Sequence, residues 1–484
     1  MIATLLLLSL TSPVPTAHGS LPVPHISHVA PDDFDDELKK AIASYADDLA
    51  KVAEWCEKED WFAEAEQIFE EVLLIDPDNK RARKGLGYKR VRGEWERDED
   101  RKRVRNEERV DLDKLEERAK KAKASQLKRM LKVLDKFEEE VEPERIEAEL
   151  WTLLDQHSES DDVRRRLGFV KGWEGRPWVM AESKQAKERR EEIKKLGREL
   201  RERAPDPEAA PVDGWEKELG PKWQGCGRND RVRAMTSNAA SELEDVLEVA
   251  WTAQEIMNEV FDMDYQLPAD CTVYLMSGKS EVEKFAENWP ETDRDRSMWP
   301  NVSSTWLGGP YLGVWRDDKT ARLDSVSRQM IGQMMWGGFG VSSRQGWIFE
   351  GFGLYLSYRV VNTRLSFFIR QTQYTEGGKS NFNSRLRQSR ANWFRLAYEA
   401  LTGEDKPKLV FVLGKDVNQL SPEDLLYGYA LAAYILEVHG DKAARILTRI
   451  GDEEAPALVL EEELGRKLPE LEKHIVRWLD DVRN

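Results

Sequence analysis

Two apolar segments flank a glycine-rich turn in the stretch from Asp324 to Tyr358, which reads DSVSRQMIGQMMWGGFGVSSRQGWIFEGFGLYLSY. This layout predicts two helices joined by the turn at 337–340. The turn is not a phosphate-binding loop, because no Gly-Lys-Ser/Thr sequence follows it. The second helix begins with Trp-Ile-Phe-Glu-Gly, which makes Glu350 a candidate site residue. The stretch contains no histidine, so these helices alone cannot form a histidine-based metal site.

The length and charge of the chain limit its class. With 484 residues, the chain is expected to form two or three domains. Hydrophobic residues make up 40% and charged residues 34%, which is typical of a globular protein with a large solvated helical part. The net charge of −17, with no basic patch interleaved with aromatic residues, argues against nucleic-acid binding.

The N-terminal sequence resembles a secretory signal peptide over residues 1–19. A short apolar run is followed by small residues, Ala17 and Gly19, at the spacing of a cleavage site. We therefore expect an extracytoplasmic protein, periplasmic or secreted. An apolar tail without a targeting role is the alternative. No later segment is long and apolar enough to predict a transmembrane helix.

Three cysteines, Cys56, Cys226 and Cys271, occur without a Cys-x-x-Cys pair, which excludes a zinc ribbon. In an exported protein, Cys226 and Cys271 could form a disulfide because both lie in the C-terminal region. Buried free thiols are the alternative, and the sequence does not choose between them.

Residues 36–95 predict a helical module that resembles one tetratricopeptide repeat, with an ordinary helical hairpin as the alternative. The repeat pattern of aromatic, small, aromatic, apolar and proline residues falls on Phe62, Ala65, Phe69, Leu73 and Pro77. Residues 96–205 predict a charged helical region with sparse apolar anchors at Leu115, Leu127, Met130, Leu131, Leu134 and Phe137.

A motif of Leu-Gly-aromatic followed by a Trp occurs twice, which predicts a duplicated module. The first copy is Leu86-Gly87-Tyr88 with Trp95, and the second is Leu167-Gly168-Phe169 with Trp178.

The proline-rich segment at 206–213 predicts a linker and a domain boundary. Beyond it, Cys271–Met276 and Ser304–Trp315 have strand character, and helical patterns follow from Asp324. We therefore predict an α+β, mainly helical fold: an N-terminal repeat-like region, then a domain over 214–484 with a small mixed sheet and a helical C-terminal part.

The C-terminal region resembles the peptidase MA-like, gluzincin-type domains of large secreted bacterial proteins over residues 268–480. A Trp-x-x-Glu-Gly-x-x-x-Tyr pattern is formed by Trp347, Glu350, Gly351 and Tyr355. The segments 427–440 and 464–479 match the closing helices. The resemblance implies a zinc site in which a His-Glu-x-x-His helix supplies two ligands and the base, and Glu350 is the third ligand.

The sequence departs from that family at the His-Glu-x-x-His position, which falls on Arg328-Gln329-Met330-Ile331-Gly332. The histidines of the chain are His18, His25, His28, His157, His439 and His474, and none are four residues apart. His439 lies before Gly440 at a predicted helix end, where a cation suits the helix dipole. His474 is expected to be an ordinary amphipathic-helix residue.

A carboxylate in a buried site needs a partner, and Arg328 occupies the first ligand position. We therefore predict an ion pair between Arg328 and Glu350 across the two helices, or else an Arg328 that points to solvent. The former metal-site positions are thus Arg328, Gln329, Gly332 and Glu350, and Trp347, Gly351 and Tyr355 are groove or structural candidates.

The favoured function is a secreted, non-catalytic peptidase-like protein that binds a protein or peptide, with no cofactor and no nucleic-acid partner. Two alternatives stay open. One is an active zinc metallopeptidase with non-standard ligands such as Asp324 and Glu350, and the other is a structural helical-repeat protein. A fold without a sheet in 268–316 would favour the last.

Overall fold

The structure is a computed structural model that describes residues 31–97, 110–290, 296–316, 318–368, 385–388 and 391–483. The predicted signal peptide lies outside the described residues. The chain divides into two compact units, residues 1–167 and 168–484. Each unit is described separately.

The first unit is helical, with one small hairpin. Its described elements are α1 (Pro31–Lys58), α2 (Phe62–Ile75), α3 (Lys80–Gly85), β1 (Tyr88–Val91), β2 (Glu94–Arg97), α4 (Leu112–Phe137), α5 (Pro143–Gln156) and α6 (Asp161–Arg166). Helix α1 packs against α2 and α4. Ala65 and Phe69 of α2 are buried in this core. This packing forms the predicted helical hairpin, and its likeness to a tetratricopeptide repeat stays a prediction.

The charged helix α4 contributes a narrow apolar face. Met130, Leu134 and Phe137 are buried, and Leu127 and Leu131 pack beside them. Leu115 packs against the α1–α2 core. The predicted apolar anchors of this region therefore all contact a core.

The same order of elements occurs twice along the chain. In each copy a helix of 14 residues (α2 or α5) is followed by a helix of six residues (α3 or α6). A Leu-Gly turn and a β-hairpin come next, and the second hairpin is β3 (Phe169–Trp173) and β4 (Arg176–Met180). Gly87 and Gly168 adopt the left-handed φ values of 80° and 77°. Glycine adopts this region without strain, which explains the shared Leu-Gly step.

The second unit is built on a six-stranded mixed sheet. Its strands are β5 (Glu208–Ala209), β6 (Gly225–Arg228), β7 (Arg233–Thr236), β8 (Thr272–Leu275), β9 (Ser304–Gly308) and β10 (Tyr311–Val314). Their spatial order is β5-β6-β7-β8-β10-β9, with β7, β8 and β10 parallel and the other pairs antiparallel. The predicted strands in 271–276 and 304–315 are confirmed. Since a sheet lies in 268–316, the fold does not favour the helical-repeat alternative.

Helices cover this sheet and, with the β3–β4 hairpin, form most of the rest of the unit. They are α7 (Ala181–Arg203), α8 (Gly214–Lys217), α9 (Glu242–Phe261), α10 (Lys279–Asn288), α11 (Lys319–Phe339), α12 (Gly346–Val361), α13 (Trp393–Thr402), α14 (Leu409–Val412), α15 (Pro422–Val438), α16 (Gly440–Gly451), α17 (Pro456–Leu464) and α18 (Leu468–Val482). Short 3₁₀ segments occur at Arg296–Asn301 and Val417–Gln419. The α+β, mainly helical class is confirmed. No described helix combines the length and apolar character needed to cross a membrane.

The predicted linker at 206–213 is wrong, because β5 lies in it and pairs with β6. The predicted boundary is also misplaced, since the compact units meet between Leu167 and Gly168. Helix α7, which the sequence assigned to the charged region, packs on α9, α12 and α15 of the second unit. Its few buried residues include Ile193, Gly197 and Leu200. Because charged residues surround them in the sequence, the apolar face of this helix is difficult to recognise from the sequence.

No disulfide is present among the described residues, and all three cysteines are free thiols. Cys226 lies on β6, and Cys271 precedes β8, with β7 between the two strands. Strands two positions apart are separated by roughly 9–10 Å, too far for a disulfide. Burial raises the pKa of the Cys271 thiol to about 12, so this thiol stays protonated at neutral pH.

Helices α12 and α15 cross at two glycines, which lets their backbones touch. A Cβ at Gly351 would overlap the carbonyl oxygen of Gly428, and one at Gly428 would lie 3.0 Å from the carbonyl oxygen of Trp347. Gly351 is therefore required for packing, since a larger residue would push the two helices apart.

We expect Gly351→Ala to lower the free energy of unfolding of the second unit by about 1–3 kcal/mol through overpacking. Gly214→Ala is the control, because no atom lies within 4 Å of its added Cβ, and we expect a change within about 0.5 kcal/mol. Urea denaturation followed by tryptophan fluorescence measures both. Equal stabilities of the two variants would contradict the close crossing.

Candidate functional site

The candidate site lies between the two helices predicted from residues 324–358. Helix α11 begins after Asp318, whose side chain accepts a hydrogen bond from the Ala321 N–H. It ends at Gly340, which has a φ of 72°. Helix α12 then returns and packs against α11. Both helices are therefore confirmed. The turn predicted at 337–340 starts later than expected, because Gly337 and Gly338 still belong to α11 and the helix ends only at Gly340.

The predicted ion pair between Arg328 and Glu350 is confirmed. Nη2 of Arg328 lies 2.7 Å from Oε1 of Glu350, and the two side chains are 2% and 0% exposed. The same Nη2 donates to the carbonyl oxygen of Phe349. Oε2 of Glu350 accepts a 3.4 Å hydrogen bond from the Phe368 N–H. Arg328 thus points into the protein and not to solvent.

Two glycines make room for this guanidinium. A Cβ at Gly353 would overlap the Arg328 guanidinium, and a Cβ at Gly332 would lie 2.8 Å from Cζ of Phe349. The guanidinium carbon lies 4.6 Å from the centre of the Phe349 ring, within cation–π range. Gly332 thus lies beside Phe349 and Arg328, and Gly353 lies against the guanidinium. The role of Gly353 was not predicted. Its spacing of three residues from Glu350 placed it on the same helix face.

Burial and charge oppose each other at Glu350. Burial raises the pKa of its carboxyl group, and the positive charge of Arg328 counteracts this rise. Nε and Nη1 of Arg328 have no hydrogen-bond partner among the described residues. A buried ion pair of this kind adds little net stability as a unit, but the loss of one partner is costly.

Of the other two positions that the resemblance assigns to the metal site, Gln329 has its side chain directed to β9. The amide nitrogen of Gln329 donates to Oγ of Ser304 on β9, at 3.2 Å. Gly332 has no side chain that could bind a metal. Asp324 accepts hydrogen bonds from Thr363 Oγ1 and from the Leu365 and Ser366 N–H groups.

The residues present do not fit a zinc ion. Structural and catalytic zinc sites use at least three protein ligands, whereas Glu350 is bound by a guanidinium. Within the described residues, no group of three or more His, Cys, Asp or Glu side chains is placed to hold a metal.

Trp347 and Tyr355 are fully buried, so of the two roles predicted for them, groove or structural, the burial supports the structural one. The Tyr355 hydroxyl donates to Oε1 of Glu437 at 2.8 Å. Glu437 also accepts two hydrogen bonds from Arg190 of α7, at 2.6 and 2.7 Å. Burial and the Glu437 charge raise the pKa of Tyr355. This cluster has no local sign in the sequence, because Arg190 and Glu437 are 247 positions apart.

The two C-terminal histidines are packing residues. His439 forms the C-terminal cap of α15, and burial lowers its pKa to about 4. The predicted interaction of a positively charged His439 with the helix dipole is therefore wrong, because a pKa of about 4 leaves the imidazole neutral at pH 7. Nε2 of His474 lies 2.6 Å from Oε1 of Glu182 on α7.

Comparison with protein-family models, with curated proteins and with solved structures finds no match to this chain. The likeness to peptidase MA-like domains therefore stays an interpretation of the sequence pattern. The contact between Arg328 of α11 and Glu350 of α12 does not depend on this likeness.

We expect Arg328→Ala to lower the free energy of unfolding by about 3–5 kcal/mol, because Glu350 would be left as an unpaired buried acid. The double variant Arg328→Met with Glu350→Leu replaces the pair by apolar groups of similar size. It should be more stable than Arg328→Ala, since no unpaired charge remains. Urea denaturation measures both. If the double variant is instead the less stable one, the pair is not the cause of the effect.

Proposed function

We propose that the second unit is a non-catalytic binding domain that holds an extended peptide segment along strand β9. The observation that carries this proposal is an aromatic pair beside the edge of the sheet. Trp336 of α11 is 55% exposed, and its ring centre lies 5.5 Å from that of Trp306 on β9.

Strand β9 supports binding by strand addition. Among the described strands it has a single neighbour, β10, and so ends the sheet order. An edge strand offers backbone N–H and C=O groups to a further strand, and nearby side chains select the residues of that strand. An apolar peptide side chain would pack on Trp336, since exposed tryptophan contributes strongly to binding interfaces.

The absence of catalysis in this proposal rests on Arg328 and Gln329. In the resembled family, the position of Gln329 holds the glutamate that acts as general base. A neutral amide cannot take a proton from water at neutral pH. The Arg328 guanidinium holds the one carboxylate of the pair, so neither group is available to activate a nucleophile.

The test uses the full chain and fluorescein-labelled, reduced and carboxymethylated casein, an unfolded polypeptide. We expect fluorescence anisotropy to show saturable binding, with no release of acid-soluble fluorescence. Trp336→Ala should weaken binding about tenfold, the effect of losing roughly 1.4 kcal/mol of contact energy.

Phe411→Ala is the matched control, because Phe411 is an exposed aromatic residue on α14, at 65% exposure. We expect its affinity for casein to equal that of the wild type. Equal weakening by the two substitutions would contradict binding at β9. Cleavage of casein that stops on addition of a chelator would overturn the non-catalytic assignment and favour the metallopeptidase alternative.

A further inference from the structure

A basic cavity lies in the second unit, and its lining does not include Arg328 or Glu350. Its volume is about 570 Å³, within the range of small-molecule sites. The charged residues of its lining are six cations, Arg190, Lys194, Arg198, Arg201, Arg359 and Arg364, and one acid, Glu191. This concentration of positive charge occurs in a chain with a net charge of −17.

Two helices supply the six cations. Arg190, Lys194, Arg198 and Arg201 follow one another at helical spacing of three or four residues, so they lie on one face of α7. Arg359 lies in the last turn of α12, and Arg364 follows its left-handed cap at Asn362. The cavity therefore lies where two basic segments meet, although they are about 160 positions apart in the chain.

Three acids balance half of this charge. Glu437 pairs with Arg190 at 2.6 Å, Glu191 pairs with Lys194 at 3.1 Å, and Glu248 pairs with Arg201. Six cations against three acids leave about three positive charges. An anionic ligand would neutralise these remaining positive charges.

The remaining arginines lack an acid of their own. Arg364 donates to two neutral acceptors, the Tyr429 hydroxyl at 2.7 Å and the Ala391 carbonyl at 3.3 Å. Arg359 is only 8% exposed, and its Nε has no hydrogen-bond partner among the described residues. Its nearest acid contact is a 3.9 Å approach to Glu437, which already binds Arg190. No ion pair of Arg198 is present in the described part of the chain.

Aromatic rings hold two of the guanidinium groups in place. The guanidinium carbon of Arg190 lies 4.0 Å from the centre of the Phe394 ring, and that of Arg364 lies 3.9 Å from the centre of the Tyr358 ring. These contacts cover the ring faces and orient the arginines before a ligand arrives. A ligand is thus recognised by charge and not by stacking on these rings.

We propose that this cavity binds a small molecule that carries two or more phosphate groups. The arginine fork matches the oxygens of a phosphate, and linked phosphates supply the three or more negative charges that the lining lacks. Because two of the ring faces are covered, the phosphate chain alone provides the affinity. A nucleoside attached to it adds little.

Isothermal titration calorimetry on the full chain at 0.1 M salt tests this proposal with inorganic tripolyphosphate. We expect saturable binding of one tripolyphosphate, and an ATP affinity within threefold of it. Citrate, which carries its charge on carboxylates, should bind at least tenfold more weakly. Tighter binding of citrate would overturn the phosphate assignment, and no detectable tripolyphosphate binding at millimolar concentration would overturn the site itself.

The Arg198→Glu variant tests whether tripolyphosphate binds in the cavity. Arg198 lines the cavity and is exposed, so its side chain can be replaced without disturbing the core. We expect it to weaken tripolyphosphate binding at least tenfold. Lys195→Glu makes the same change of charge on the same helix, at an exposed residue outside the cavity lining, and should alter binding less than twofold. Equal losses in the two variants would mean a general effect of net charge and would contradict the site.

Discussion

The buried ion pair between Arg328 and Glu350 is the constraint on which the centre of the second unit depends. Two charges taken out of water require each other, because the loss of either leaves an uncompensated ion in the core. Their 2.7 Å contact links α11 to α12 in the core. Gly332 and Gly353 follow from this requirement, since a side chain at either position would meet the Phe349 ring or the guanidinium.

Buried acids paired with arginine occur elsewhere in the second unit. Glu437 joins α7, α12 and α15 through Arg190 and Tyr355. The fully buried Glu216 of α8 binds Arg233 of β7 at 2.6 Å and accepts from the Tyr274 hydroxyl of β8 at 2.9 Å. Glu350, Glu437 and Glu216 therefore each link a helix to another element, and each has an arginine and a further hydrogen-bond donor. In a chain with 34% charged residues, a few of the charges are core residues.

The sequence was sufficient to predict those elements and contacts that a local pattern determines. The apolar periods and the glycine turn predicted α11 and α12, strand character predicted β8 to β10, and the isolated carboxylate of Glu350 predicted its pairing with Arg328. It was insufficient for elements and contacts that form only through packing between residues distant in the chain. Strand β5 was missed because two residues in a proline-rich segment have no strand pattern, and they pair only because β6 lies beside them. The cluster around Glu437 has no local signature either.

The central claim is that the Arg328–Glu350 pair occupies the place that the family resemblance assigns to a metal and its ligands. Zinc binding to a triple variant, Arg328→His with Gln329→Glu and Gly332→His, tests this most directly, because removal of the guanidinium frees space beside Phe349. After chelator treatment, equilibrium dialysis should show about one zinc per chain in the variant, lost on further change of Glu350→Ala, and none in the wild type. Stoichiometric zinc in the wild type, or no zinc in the triple variant, would contradict the account.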